Sequence, residues 1–516
     1  MQDEYSGWTI TLNLTPPSLD DNRADADRLK SALKAAFNAD AIDIDLPLLK
    51  EIPGNLRKWE YQARCLCFND YGRFRLLGMK APADRAPFVG LAADLGTTRV
   101  VLRLINLDTG KEMAEAAFDN PQIEIGPDIL ERIHYTDTEG GLEKLNRLII
   151  DGFQAHIDNI CQAPGIQRHD VYLIAVAGNT SMAHLFMGLP PGGIIREPYI
   201  PVVNQPGLMR AKSLGIQIHP GAGVFVFPNV GSYFGGDLVA GILYSRICEK
   251  DEISMLVDVG TNAEVVLGNR EWLVVCAGAA GPALEGGVSK IGMTAGPGVI
   301  DQIWIDPETR RFNVHAIDDQ PPKGICGSGM IDLVAQLFLA GILDIRGRFV
   351  PDAVPDRIYE LDGQRRLVIV DDKNSATGEA LTIGQADLDS LIRSKAAMYT
   401  ILETITGYVG VTFKDISRFY IAGTFGSFIR PRSAITIGMI PDLPEDTYQP
   451  LGNSSLGGAS RLLGERAAID EVERIYRNIT YLELNVNQEF MNRFSAAKFL
   501  PHTEAAKFPS VRRSNS

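Results

Sequence analysis

An acidic residue at the end of an apolar strand, followed at once by glycine and hydroxyl side chains, occurs twice in this chain. Asp94-Leu-Gly-Thr-Thr98 follows the run Phe88 to Ala93, and Asp258-Val-Gly-Thr-Asn262 follows Ser254 to Val257. Around each copy the pattern reads as strand, glycine turn, strand, tight turn, strand, over residues 88–118 and again over 253–280. The separation of the copies far exceeds the roughly 20–50 residues of a solenoid repeat, which points to a duplicated domain whose two copies face each other. One such turn alone is an ordinary hairpin, because Asp and Gly dominate turns. Two of them, each after an apolar strand, suit a phosphate clamp. The N–H groups and side chains of Gly96, Thr97, Thr98, Gly260, Thr261 and Asn262 would grip phosphate oxygens. Asp94 and Asp258 would approach a neutralising Mg²⁺, directly or through water.

A chain of 516 residues is long for one hydrophobic core, so two or three domains are expected, and 45 % apolar residues is ordinary for a folded protein. The net charge of −14 argues against nucleic acid or a membrane surface as the main partner, since both call for a basic face. Small anions remain open to it, because backbone N–H groups attract them whatever the global charge. No apolar run reaches the roughly 18 residues of a membrane helix, and the start MQDEYSGWTITLN lacks the regions of a signal peptide, so a cytoplasmic location is expected. The six cysteines, Cys65, Cys67, Cys161, Cys248, Cys276 and Cys326, are scattered and include no CxxC, which fits reduced thiols. On a strand Cys65 and Cys67 share a face, where buried packing is the simpler reading than a metal or redox role.

Residues 1–20 read as a linker and 21–86 as a small α+β domain. In it residues 25–37 have helical spacing, while 59–70 and 73–79 alternate like paired strands. The Pro- and Ala-rich stretch Lys80 to Phe88 marks a boundary. Beyond it the expected divisions are 87–250 for a first lobe, 251–510 for a second lobe with C-terminal helices, and 511–516 for a tail. A third strand-to-loop junction lies at Ile416 to Ile429, where Gly423, Thr424, Phe425 and Gly426 offer glycine backbone to an adenine ring and ribose. Gly327 and Gly329 belong to another junction, Gly324 to Leu343, and suit close packing between subdomains. None of the seven histidines forms a spaced pair, and His184 in MAHLFMG reads as a core histidine.

Taken in order, these motifs resemble the acetate kinase, sugar kinase, Hsp70 and actin superfamily. Phosphate turn 1 is Asp94 to Thr98, a connecting helix follows Gly178, turn 2 is Asp258 to Asn262, a second connection is Gly327 to Gly329, and the adenosine motif is Gly423 to Gly426. The fold this implies is α/β: a two-lobed actin/Hsp70-like ATPase of duplicated ribonuclease H-like domains, preceded by the small α+β domain. Finer motifs, NPQIEIGPDILERIHY, SYFGGDLVAGIL, AGAAGPALEGG, GICGSGMID, YIAGTFGSFI and GNSSLGGA, resemble the reductive activators of corrinoid proteins over nearly the whole chain. That resemblance implies an ATPase using ATP and Mg²⁺. It would dock, as a homodimer, on the corrinoid protein of a methyltransferase system and drive its stranded Co(II) back to Co(I). The resemblance does not specify the electron donor. By the superfamily layout Asp237 and Glu285 join Asp94 and Asp258 as catalytic candidates, for water activation or Mg²⁺, with a helix N-cap as the plain alternative for Asp237.

Such activators usually carry an iron–sulfur cluster, a [2Fe-2S] group expected in a full-length relative, which needs about four clustered cysteines. This sequence has no such cluster of ligands. Its stretch TPPSLDDNRADADRL resembles the linker after an N-terminal ferredoxin-like domain, so removal of that domain is expected, with a naturally cluster-free paralogue as the alternative. Two other functions compete: a small-molecule kinase of the same superfamily, and an ATP-gated scaffold or chaperone that holds a corrinoid protein without reducing it.

Overall fold

Apolar alternation along the N-terminal segment closes a small sheet against two helices. In a computed structural model, β1 (Thr9–Asn13), α1 (Asp25–Phe37), β2 (Ile42–Ile44), α2 (Leu46–Lys58), β3 (Gln62–Asp70) and β4 (Arg73–Lys80) form a sheet ordered β1-β3-β4-β2. Leu29, Leu33 and Phe37 of α1 meet Ile52 and Leu56 of α2 over Cys65 and Cys67, so both thiols serve packing. The structure describes residues 7–260, 263–278, 289–306, 308–361, 363–423, 429–483 and 488–511.

The chain divides into two units, Met1–Cys248 with Ser454–Asn478, and Glu249–Asn453 with Ile479–Ser516. In the first, β5 (Val89–Leu95), β6 (Arg99–Asn106), β7 (Lys111–Asp119), α3 (Ile129–Tyr135), α4 (Gly141–Gln162), β8 (Val171–Gly178), α5 (Thr180–Met187), β9 (Gly207–Arg210), β10 (Gly223–Val226) and α6 (Gly236–Ser245) follow one another. The sheet order is β7-β6-β5-β8-β10-β9, with β5 antiparallel to β6 and parallel to β8. β8 is buried along its whole length, and its VYLIAVAG sequence shows no alternation because both faces are covered. Leu145, Ile149, Phe153 and Ile157 of α4 pack in one cluster with Leu91, Ala93 and Leu95 of β5. The helix Ser454–Gly464, far along the chain, packs on α6, β5 and β8. A Cβ on Gly458 would lie 2.0 Å from the Ala240 carbonyl oxygen, so only glycine permits that approach.

The second unit repeats the plan. Its elements are β11 (Ser254–Val259), β12 (Ala263–Gly268), β13 (Leu273–Gly278), β14 (Val299–Ile305), β15 (Phe312–Ala316), β16 (Gly324–Ile325), α7 (Gly327–Leu339), β17 (Ile358–Leu361), β18 (Gln364–Val370), β19 (Leu381–Gly384), α8 (Gln385–Val409), β20 (Arg418–Ala422), β21 (Tyr448–Gly452) and β22 (Ile479–Tyr481). The sheet runs β21-β20-β11-β12-β13-β22, and its central β11 again has an antiparallel neighbour, β12, and a parallel one, β20. The fold is thus α/β with a duplicated sheet. Among the described residues no helix is long and apolar enough to cross a membrane.

Candidate functional site

In the first unit, Asp94 lies next to last in β5, opposite Val101 of β6 and Ala177 of β8, which places it at the carboxyl edge of the sheet's middle. The turn that follows is tight: a Cβ on Gly96 would come within 2.3 Å of the Arg99 carbonyl oxygen. Buried Asn120 braces this turn. Its N–H donates to Thr98 O at 2.8 Å and its side-chain amide to Gly96 O at 2.9 Å. Thr97 Oγ1 accepts a bond of 3.1 Å from Asn179 Nδ2, and Asn179 Oδ1 accepts the Met182 N–H at 2.9 Å as the N-cap of α5. Thr98 is exposed.

Asp237 reaches the same edge from α6. It is not the N-cap that its place in the sequence suggests. Gly235 holds that position, and Asp237 sits in the first turn, its Oδ1 accepting the Leu238 N–H at 2.8 Å. The shift has a steric reason, since a Cβ on Gly235 would lie 2.5 Å from the Cα of Asn179. Burial, partly offset by the Leu238 bond and aided by the negative charge of Asp94, pushes the Asp237 carboxyl up to about 6. Two carboxylates, a hydroxyl and an amide therefore share one edge of the sheet. Asn120 and Asn179 escaped the sequence reading. An Asn directly before the helical run TSMAHLFM is an N-cap signal that could have found the second.

In the second unit Asp258 lies opposite Glu264 of β12 and Ala422 of β20. Gly423 follows β20 with φ of +85°, and a Cβ there would meet Asp258 Oδ1 at 2.8 Å and Val259 O at 2.9 Å. The glycine that opens the expected adenosine motif thus touches the strand end that carries turn 2. Gly260 is half-buried just beyond it. Thr261, Asn262, Glu285, Thr424, Phe425 and Gly426 lie outside the described residues. Gly327 and Gly329 are buried at the start of α7, where a Cβ on Gly329 would come within 2.4 Å of Ile300 O, so that residue packs α7 onto β14. One turn on, buried Asp332 accepts from Ile303 N and Arg430 Nη1, each at 3.2 Å, and from Ser433 Oγ.

His184 is fully buried. Its Nε2 accepts the Val202 N–H at 3.0 Å, so the proton sits on Nδ1, which donates to Thr180 O at 2.7 Å. Burial holds its pKa below the usual histidine value, and the ring is a packing element rather than a ligand. Among the described residues no group of three or more His, Cys, Asp or Glu is placed to hold a metal ion.

A family model described as the C-terminal domain of RACo, the ASKHA domain, matches residues 252–512, just over half of the chain. The chain belongs to the RACo family. Models of the RACo middle region and the RACo linker region match residues 89–250 and 8–84 of this RACo-family chain. It is 29 % identical over 417 residues to the corrinoid activation enzyme RamQ of Eubacterium limosum, covering 79 % of this chain and 70 % of that one. It is 24 % identical over 445 residues to the [Co(II) methylated amine-specific corrinoid protein] reductase of Methanosarcina barkeri, covering 78 % and 75 %. A solved structure, a reductive activator for corrinoid, iron-sulfur protein, superposes with a TM-score of 0.86 at 37 % identity over 99 % of this chain and 82 % of that one. ASKHA domains are nucleotide-binding, in keeping with the duplicated sheet.

Proposed function

We propose that this RACo-family chain binds ATP with Mg²⁺, docks on a corrinoid protein of a methyltransferase system, and couples hydrolysis to returning that partner's cobalt from Co(II) to Co(I). The observation that carries the ATPase part is the meeting of Asp94 and Asp237 at the carboxyl edge of the first sheet. The corrinoid part rests on the relatives, which are named as activators and reductases of corrinoid proteins.

The residues present fit a magnesium ion. The repulsion that helps raise the Asp237 carboxyl is what a divalent cation relieves, and Mg²⁺ takes one or two carboxylates with water and phosphate oxygens completing its shell. When bound, the ion neutralises phosphate charge as the terminal phosphoryl group departs. Asp94 would hold it, directly or through water. Asp237, ionised above about pH 6, accepts a proton from the water that attacks the terminal phosphorus, leaving ADP and phosphate. The N–H groups of Gly96 to Thr98 orient phosphate oxygens, and Asn120 keeps that turn from rearranging. Within the second unit, the junction of Asp258 with Gly423 suits phosphate and nucleoside groups.

The six thiols do not fit an iron–sulfur cluster. All are buried, and burial pushes Cys65 up to about 12 and Cys67 well above its ordinary value, which disfavours the thiolates a cluster needs. The electron then comes from a group other than these thiols, and ATP acts by favouring one of two conformations of the complex through differential binding.

The test is ATP turnover with and without a purified corrinoid protein held as Co(II), a chemical reductant being supplied and the cobalt spectrum followed. Turnover that rises with the Co(II) partner, with Co(I) appearing only when ATP is present, is the expected result. A partner that stays Co(II) and leaves turnover unchanged sinks the corrinoid reading. A phosphorylated metabolite would instead point to the kinase.

A further inference from the structure

Within the second unit, four segments distant in sequence converge on a cleft of about 740 Å³, and each brings a cation to it. Arg346 and Arg348 come from the turn after α7, Arg365 from the start of β18, Arg393 from α8, and Lys498 from just beyond the helix Gln488–Ala497. Asp389 is the one carboxylate among the described lining residues. All five cations are exposed. Arg357, Arg430 and Lys507 of the same unit are ion-paired, whereas these five have no such partner among the described residues.

The backbone that presents them is tightly built. Asp344 Oδ1 accepts the N–H of Arg346 at 2.7 Å and of Arg348 at 2.9 Å. Gly347 between them has φ of +71° and presses on α8 so closely that a Cβ would lie 1.9 Å from Ile392 Cδ1. Gln385, first in α8, donates to Gly347 O at 2.9 Å and accepts from Phe349 N at 3.2 Å. Buried Lys395 donates to the carbonyls of Phe499 and Pro501 at 2.6 and 2.7 Å, which fixes the segment bearing Lys498. Gln385 and Ala386 also turn the electropositive first turn of α8 toward the cleft.

Five like charges around one cleft repel each other, and a chain of net charge −14 has no general need for them. An occupant with several negative groups removes the repulsion, and guanidinium forks match phosphate oxygens in pairs. The volume lies within the roughly 300–1,000 Å³ of small-molecule sites. We propose that this cleft binds a small polyanion carrying two or three phosphate groups, at a site that includes neither Asp258 nor Gly423. The inference stands apart from the corrinoid assignment.

Calorimetric titration of the whole chain with inorganic tripolyphosphate, in EDTA and at physiological ionic strength, tests it. The wild type and the surface control Arg270→Gln should bind alike, and Arg346→Gln/Arg393→Gln should bind about tenfold or more weakly with its melting temperature unchanged. Asp94→Asn should leave this binding in place. Equal affinity in the double variant overturns the proposal, as does loss of binding in Asp94→Asn. If the wild type ignores tripolyphosphate but binds a polyglutamate peptide that the double variant does not, the cleft receives an acidic protein surface and the small-ligand proposal fails.

Discussion

Asp94 and Asp258 hold the same place in two sheets of one plan, each at the carboxyl end of a strand with an antiparallel neighbour on one side and a parallel one on the other. What presses on them differs. Asp94 feels a second carboxylate, Asp237, brought in by the first turn of α6. Asp258 meets the backbone of Gly423, which leaves no room for a side chain. Both copies keep the strand-end acid, and they differ in what a later segment brings against it, the Asp237 carboxylate in one and the Gly423 backbone in the other.

The largest effect that could break this contrast comes from charge. Asp94→Asn should lower ATP hydrolysis on the order of a thousandfold, and Asp237→Asn on the order of a hundredfold while retaining ATP binding, both read from steady-state turnover and calorimetry. Equal, small losses would mean that the carboxylate pair is structural. Shape is probed by Gly423→Ala, which puts a methyl group 2.8 Å from Asp258 Oδ1 and strains a φ of +85°. About tenfold weaker nucleotide binding is expected, and unchanged affinity would remove Gly423 from the site.

Acidity sharpens the comparison further. Asp237 keeps its proton in the folded chain up to about pH 6 but loses it near its ordinary value of 3.8 when unfolded. The folded state therefore binds more protons between those values, so Asp237 makes stability fall as pH rises through that window and adds no further change above it. ATP hydrolysis should move the other way, falling about tenfold per unit below pH 6 as the carboxyl takes up its proton. Asp237→Asn should flatten both profiles, in urea melts and in steady-state turnover. The smallest effect belongs to Asn179→Ala, which removes the α5 cap and the bond to Thr97 and should cost about 1 kcal/mol, seen as a lower urea midpoint.

Much of the local structure was legible because it depends on periodicity and turn chemistry alone. Residues 25–37 form the helix their spacing indicates, and Gln62–Asp70 pairs with Arg73–Lys80 as alternation requires. The α/β class and the duplicated strand-turn-strand units were readable on the same grounds. Asp237 was legible as a polar residue at a helix start and a catalytic candidate, but its place in the first turn rather than at the cap was not. Its cap position passed to Gly235 because that backbone must touch Asn179.

What the sequence by itself determined was where strands end in acid and glycine, since a turn needs only its own few residues. Only the tertiary structure decided which groups those acids meet. Asn120 reaches back to Gly96, Ser454–Gly464 packs against α6 across glycines, and five cations from four segments line one cleft. Each of these contacts closes a long loop, and the free energy that holds it comes from burial summed over whole sheets and helices, which no short run of residues encodes.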